Sequence, residues 1–229
     1  SKLDVSIGIR ADEDSFSTGS KIVDNLSPRI STSYSISKDR RLSWNSSIGT
    51  YFKIPTYTVL GFKNLTGEFI NRSAKYTKSS HYVTGFDYSI GNAAKVSIEG
   101  FVKRYANFPI SLIDGVSLAN KGADFEVLGN EAVLTNGEGK TKGVEFLFQQ
   151  KLTRNFYGIF SYTFFKSEFT DINGNYLPSV WDSKHLSSFS GGYKLKRNWE
   201  ISSRWRFAGK TPYVPYDLEA SLNNYPNMF

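Results

Sequence analysis

Apolar and polar residues alternate with a period of two along several runs of this chain, and this pattern limits the folds that the chain can adopt. From Leu3 to Asp12 the odd positions are apolar and the even positions are polar or glycine. Successive side chains of a β-strand point to opposite faces, so such a run predicts a strand with one apolar and one polar face. The alternation recurs eight more times, in segments 28–36, 42–52, 81–90, 96–103, 144–149, 156–164, 188–195 and 199–207.

The lengths of these runs and of their connections indicate strands that cross a membrane. Each run is about ten residues, which is what a tilted strand needs to cross a bilayer, whereas strands of soluble proteins cluster nearer five or six. The connections alternate between short (37–41, 91–95, 153–155, 196–198) and long (13–27, 53–80, 105–140, 166–184). Short periplasmic turns and long extracellular loops are typical of outer-membrane barrels.

Aromatic residues lie near both ends of the predicted apolar faces. Outer-membrane barrels carry aromatic girdles where lipid meets water, and Trp199 and Phe207 would lie roughly 20 Å apart along the membrane normal at a tilt of about 40°. The short-turn girdle comprises Tyr34, Trp44, Tyr88, Phe156, Tyr193 and Trp199, and the long-loop girdle comprises Phe52, Tyr82, Phe164 and Phe207. Their separation matches the expected height of the apolar band.

A soluble β-sandwich, propeller or lipocalin-like barrel would also show alternating strands. The predicted polar faces, however, carry charged residues such as Arg10, Glu99 and Arg204. In a small filled barrel these would have to pair in a dry core, at several kcal/mol per unpaired ion. A wide, hydrated lumen avoids that cost, so we predict an all-β fold, an antiparallel transmembrane β-barrel of which about nine strands lie in this chain.

The residue types needed for nucleic-acid binding, metal binding or enzymatic catalysis are sparse or scattered along the chain. The net charge is +7, but the lysines and arginines form no block, so nucleic acid is not an expected partner. Cysteine is absent, and His81 and His185 have no carboxylate or second histidine at metal-ligand spacing. The segment 171–175 is similar to a calcium loop but lacks its terminal glutamate, and predicts a turn. We expect no enzymatic activity, no bound metal and no cofactor.

Four segments resemble parts of one protein family. Residues 26–31 (LSPRIS), 49–55 (GTYFKIP), 142–146 (KGVEF) and 209–215 (GKTPYVP) are similar, in order and spacing, to the C-terminal barrel half of TonB-dependent outer-membrane receptors, particularly those of Bacteroidetes-type bacteria. The resemblance implies a barrel of about 22 strands with a plug domain inside it. We therefore expect residues 1–229 to be a single partial β-barrel domain, with the plug and the remaining strands outside this sequence.

The resemblance also implies a function, which is active import of a bulky nutrient such as an iron chelate, cobalamin, an oligosaccharide or a peptide. The implied partners are outer-membrane lipid, the extracellular nutrient, a surface lipoprotein, and the TonB complex, which would bind the plug region absent here. Two alternatives stay open. One is a passive porin or an adhesin-type outer-membrane barrel, and the other is a soluble all-β binding module or hydrolase.

Candidate ligand-binding residues lie in the upper lumen and in the long loops, because binding residues usually sit on loops held by a rigid scaffold. The lumen candidates are Arg10, Arg29, Tyr51, His81, Lys103 and Arg206, and the loop candidates are Tyr57, Phe62, Tyr76, Trp181 and Tyr213.

Overall fold

The computed structural model describes residues 2–18, 20–121 and 127–212. Ten β-strands in these ranges form one antiparallel sheet. They are β1 (Leu3–Ala11), β2 (Leu26–Ser35), β3 (Leu42–Lys53), β4 (Thr77–Ile90), β5 (Ala94–Ser111), β6 (Val133–Thr153), β7 (Phe156–Thr170), β8 (Tyr176–Pro178), β9 (His185–Lys194) and β10 (Glu200–Ala208). Within the same ranges, helical structure is limited to α1 (Tyr57–Leu60) and two 3₁₀ turns (Ile22–Asn25 and Lys196–Asn198).

Strands that follow one another in sequence are neighbours in the sheet from β1 to β7, and β9 and β10 continue the order after β7. The short β8 pairs with the upper end of β7 and stands off this path. All nine predicted strands are present, so the prediction of an all-β antiparallel architecture is confirmed. In the described part the sheet is open, with β1 and β10 as its edge strands.

Several strands are longer than the alternation predicts. β5 and β6 have 18 and 21 residues, so the connection expected over 105–140 is wrong, and its two ends continue the sheet. The pairing of β5 with β6 shifts between Tyr105 and Phe108, where Asn107 has a φ of 58°. Such a bulge interrupts the alternation of apolar and polar residues, so the sequence pattern does not predict the strand beyond this point.

The two faces of the sheet are separated as the alternation predicts. One paired row across the outer face runs through Leu42, Tyr88, Val96, Phe148, Phe160, Phe189 and Trp205. Apolar side chains on this face are open to the surroundings, and Ile7 is 78% and Ile201 64% exposed. Exposed apolar area costs about 25 cal/mol per Å² in water, so a face of this kind suits contact with lipid.

The opposite face is held by polar contacts. Asp87 accepts hydrogen bonds from Asn45 (2.9 Å) and Ser97 and pairs with Lys95 at 2.8 Å. Such a network of paired polar groups suits the wall of a lumen. No helix in the described ranges has the length and apolarity needed to span a membrane.

The segment 171–175 is a turn, as predicted. Asp171 Oδ1 accepts the backbone N–H groups of Asn173 (2.9 Å) and Asn175 (2.8 Å), and Gly174 has a φ of 85°. The turn connects β7 to β8.

Candidate functional site

A compact loop cap, made of residues 12–18, 20–25, 54–76, 112–121 and 127–132, lies at the long-loop end of the sheet. Its core contains Val59, Leu60, Ala74 and Leu118, and Phe16, Ile54, Phe108 and Val133 pack against it. Near the cap, lumen-facing residues of β6 and β7 such as Thr141, Ser167 and Phe169 are buried. Phe108 packs against both the cap core and Phe169, so the cap adjoins the upper end of the polar face.

Asn71 ties two loops of the cap together and is only 2% exposed. Its amide nitrogen donates to the carbonyl oxygens of Val59 (2.9 Å) and Glu131 (2.7 Å), and its amide oxygen accepts the N–H of Val133 (3.1 Å). Glu131 in turn pairs with Lys121 at 2.8 Å. Buried polar groups of loops are thereby satisfied, which lets irregular backbone pack without water.

The first loop of the cap is fastened to its second loop (54–76) by several contacts, among them the Thr18 N–H donated to the Arg72 carbonyl oxygen at 2.7 Å. Tyr76 donates its hydroxyl to Asp14 Oδ2 at 2.7 Å, and Arg72 donates Nε to the carbonyl oxygen of Phe16 at 2.9 Å while stacking on the Phe16 ring. Burial opposes the charged form of Asp14, but hydrogen bonds from Ser17, Tyr76 and nearby backbone N–H groups outweigh it and lower the Asp14 pKa to about 2. Burial and the Asp14 contact together raise the pKa of Tyr76.

Three predicted site residues lie on one paired row of the lumen face. The row passes through Gly8, Arg29, Gly49, His81, Lys103, Thr141 and Ser167, on seven consecutive strands. The five steps from Arg29 to Ser167 cover roughly 24 Å at about 4.8 Å per strand. Among the described residues neither Arg29 nor Lys103 has a carboxylate partner.

Tyr51 lies two residues after Gly49 on β3 and on the same face, so its side chain stands next to this row. Its ring lies 4.7 Å from the His81 ring, centroid to centroid. A Cβ on Gly49 would lie 3.0 Å from the Tyr51 hydroxyl and 3.1 Å from Arg29 Cβ, so the glycine leaves the space that both side chains occupy. Gly8 likewise faces Arg29, whose Nε would be 2.9 Å from an added Cβ.

Trp181 lies at the β7 end of the row, next to Ser167. Its indole N–H donates to Ser167 Oγ at 3.1 Å, and its ring meets the buried Phe169 edge-on at 5.7 Å. The Trp181 side chain remains 46% exposed. The structure thus brings together five predicted residues, which we call the lumen arc: Arg29, Tyr51, His81, Lys103 and Trp181.

The remaining predicted residues lie elsewhere. Arg10 is on the lumen face of β1 but pairs with Asp12 at 2.5 Å. Arg206 lines a separate groove with Glu145, Thr163 and Ser188. Tyr57 is 76% exposed on α1, and Tyr76 is 3% exposed within the cap, so its ring packs against protein. Phe62 is half-buried, and Tyr213 lies outside the described residues.

Sequence reasoning missed the aromatic residues that support the arc. Phe169 lies 5.1 Å from Tyr105 and 4.5 Å from Phe108, by ring centroids. Tyr105 and Phe169 share a paired row with Tyr51 and Gly139, and a Cβ on Gly139 would lie 2.4 Å from the Phe169 ring. Continuing the alternation of β7 past residue 166 would have placed Phe169 on the lumen face.

The lumen arc offers two cations, an imidazole, a phenol and an indole on a fixed wall. In the described residues, no group of three or more histidines and carboxylates is placed to hold a metal ion. This set of side chains can bind a large ligand by charge and by ring stacking.

The sequence profile of one family, described as "TonB dependent receptor-like, beta-barrel", matches residues 1–227. No protein of curated function matches the chain in sequence.

Several solved outer-membrane proteins are similar to the chain in fold. The alcaligin outer-membrane receptor of Bordetella pertussis is 16% identical with a TM-score of 0.53, over 81% of this chain and 29% of the receptor. The ferripyoverdine receptor of Pseudomonas aeruginosa is 17% identical with a TM-score of 0.56, over 81% and 23%. The ferric-catecholate import receptor of E. coli is 11% identical with a TM-score of 0.57, over 81% and 25%. The chain thus spans less than a third of each of these three proteins.

Proposed function

The chain belongs to the family of TonB-dependent receptor-like β-barrels, and on this premise we propose that it forms barrel wall and loop cap of an outer-membrane receptor that imports a bulky nutrient. TonB would supply the energy for import. The observation that carries the proposal is the lumen arc, which presents cationic and aromatic side chains along the polar face of the sheet. The matching family is one of transport receptors, not enzymes.

We propose that the cap faces the outside of the cell and that the short turns face the periplasm. We propose that further strands of the full-length protein close the barrel around a plug domain, which would contact the TonB complex. The chain spans less than a third of each of the similar receptors, and a closed barrel leaves no sheet edge with unpaired backbone groups in lipid. A surface lipoprotein is a further proposed partner, through the cap. Membership of the Bacteroidetes-type branch stays a prediction.

Of the proposed nutrients (an iron chelate, cobalamin, an oligosaccharide or a peptide), the arc favours an anionic iron chelate. Arg29 and Lys103 present two cations that no described carboxylate neutralises. Charge-assisted hydrogen bonds to an anionic ligand are about twice as strong as neutral ones. The similar solved structures include receptors for alcaligin, ferripyoverdine and ferric catecholates.

The test is uptake by cells that carry the full-length protein and lack their other receptors for the chelate supplied. The double variant Arg29→Gln/Lys103→Gln should lower uptake of an anionic ferric chelate by at least tenfold, while Lys38→Gln/Lys196→Gln, which removes the same charge at the short turns, should not. Uptake in the parent protein should cease when TonB is deleted. Uptake that continues without TonB would contradict the proposal and support the alternative of a passive porin, and binding to cells without any uptake would support an adhesin-type barrel.

A further inference from the structure

The outer face of the sheet carries a group of basic residues on β4 to β7, which we call the basic belt. It consists of Lys78, Arg104, Lys140, Lys142 and Lys166. All five share the outer-face alternation of their strands, and Lys78, Arg104, Lys142 and Lys166 lie about ten to twelve residues from the short-turn ends. At about 3.3 Å per residue and a tilt of about 40°, that is roughly 25–30 Å along the membrane normal. The belt therefore lies at the upper boundary of the apolar band, where lipid headgroups begin.

Like charges face one another across strands within the belt. Lys142 pairs in register with Lys166, and Arg104 pairs with Lys140. Directly opposed like charges destabilise a sheet unless something neutralises them. Glu168 does so in part, at 2.7 Å from Lys166 and 3.6 Å from Lys140. Among the described residues neither Arg104 nor Lys142 has a carboxylate partner, which leaves the belt with unneutralised positive charge.

An apolar groove of about 630 Å³ runs along the outer face beside the belt, and Lys142 and Lys166 lie among its lining residues. Apolar lining comes from Ile48, Tyr82, Val102, Val144 and Phe164. Gly100 contributes to this groove, and a Cβ there would meet nothing closer than the Thr84 carbonyl oxygen at 4.0 Å. No neighbouring atom is therefore close enough to require glycine at this position. The absence of a side chain at Gly100 leaves space in the groove.

We propose that the belt and groove form a binding site for a phosphorylated lipid of the outer leaflet. Lys142, Arg104 and Lys166 would bind the headgroup phosphate, and an acyl chain would lie over Gly100. Charge complementarity identifies the occupant, because a ligand here needs anionic groups at the belt and an apolar chain at lipid depth. The site rests on the proposed function only in that the cap must face outward.

The test uses the full-length protein purified from outer membranes in mild detergent. Phosphorylated lipid retained per protein is measured by mass spectrometry after washes of rising salt. The Lys142→Gln/Lys166→Gln variant should lower retention on the order of tenfold. Lys142→Arg/Lys166→Arg should keep it, and Lys38→Gln/Lys196→Gln is the control for charge removed at the short turns. Gly100→Leu should lower retention while the charges stay in place.

Equal lipid retention in the parent and in the Lys142→Gln/Lys166→Gln variant would overturn the proposal. An equal loss of lipid in the short-turn control would also overturn it. So would the finding that an acidic protein, and no phosphorylated lipid, is retained with the parent protein. TonB-dependent uptake is measured on the same variants. Loss of lipid with unchanged uptake would support the lipid site. Failure of the proposed function would be seen separately, because the parent protein would then be absent from the outer membrane, which can be measured without the lipid assay.

Discussion

Tyr51 on β3 and His81 on β4 place their rings 4.7 Å apart, within a lumen wall whose spacing depends on Gly49 between Tyr51 and Arg29. The contact links two strands at the centre of the lumen arc. The contact also places the aromatic ring of Tyr51 close to the basic part of the arc, because Lys103 is paired with His81 on the neighbouring strand β5.

Replacing Gly49 should therefore weaken ligand binding without unfolding the barrel. In Gly49→Val the new side chain begins 3.0 Å from the Tyr51 hydroxyl and 3.1 Å from Arg29 Cβ, so both residues must move. We expect about a tenfold rise in the Kd of the imported chelate, measured on the full-length protein. Gly100→Ala, a glycine replacement on the outer face, is the matched control. An unchanged Kd in Gly49→Val would contradict the role given to the arc.

Removing Asn71 should loosen the cap selectively. Asn71→Ala removes three hydrogen bonds in a buried place and leaves the Glu131 carbonyl oxygen without its side-chain partner, while the Val59 carbonyl oxygen keeps the Phe62 N–H; the cost is about 2–3 kcal/mol. Limited proteolysis should then cut within residues 54–76 while the strands stay protected. Asn92→Ala, in an exposed short turn, is the control. Equal resistance of the two variants would show that Asn71 does not hold the cap.

The Asp14–Tyr76 contact predicts how the cap responds to acid. The Asp14 pKa is lowered from 3.8 to about 2 on folding, so the carboxylate stabilises the cap at pH values above about 4. That stabilisation should fall away as the pH drops from about 4 to about 2. Protection factors of the Phe16 and Ser17 amides, which are exchange rates corrected for the intrinsic pH dependence of amide exchange, should fall across this range in the parent protein. In Asp14→Asn, protection should already be low at neutral pH, and high protection there would contradict this role of Asp14.

The strands and their two faces could be predicted from the sequence because alternation is a local signal. The lumen positions of Arg29, His81 and Lys103 followed from that alternation alone. Their alignment on one row did not, since it depends on the registers of three strand pairs from β2 to β5.

The cap could not be predicted, because its packing joins residues far apart in sequence without any period. Asn71 contacts Glu131 across 60 positions. The bulge near Asn107 hid the upper parts of β5 and β6 for a related reason, since one residue out of phase ends the alternation that reveals a strand.

If the sheet is a barrel wall, neighbouring residues on each strand face lipid and lumen in turn. The chain has no cysteine, which suits a test with single cysteines at Ile98 and Glu99, adjacent positions on opposite faces of β5. The full-length protein in outer membranes would carry a spin label at each site, with accessibility to a lipid-soluble and a water-soluble relaxation agent as the measurement. The label at position 98 should respond mainly to the lipid-soluble agent and the label at position 99 mainly to the water-soluble one. Equal responses at the two positions would contradict the assignment of the two faces.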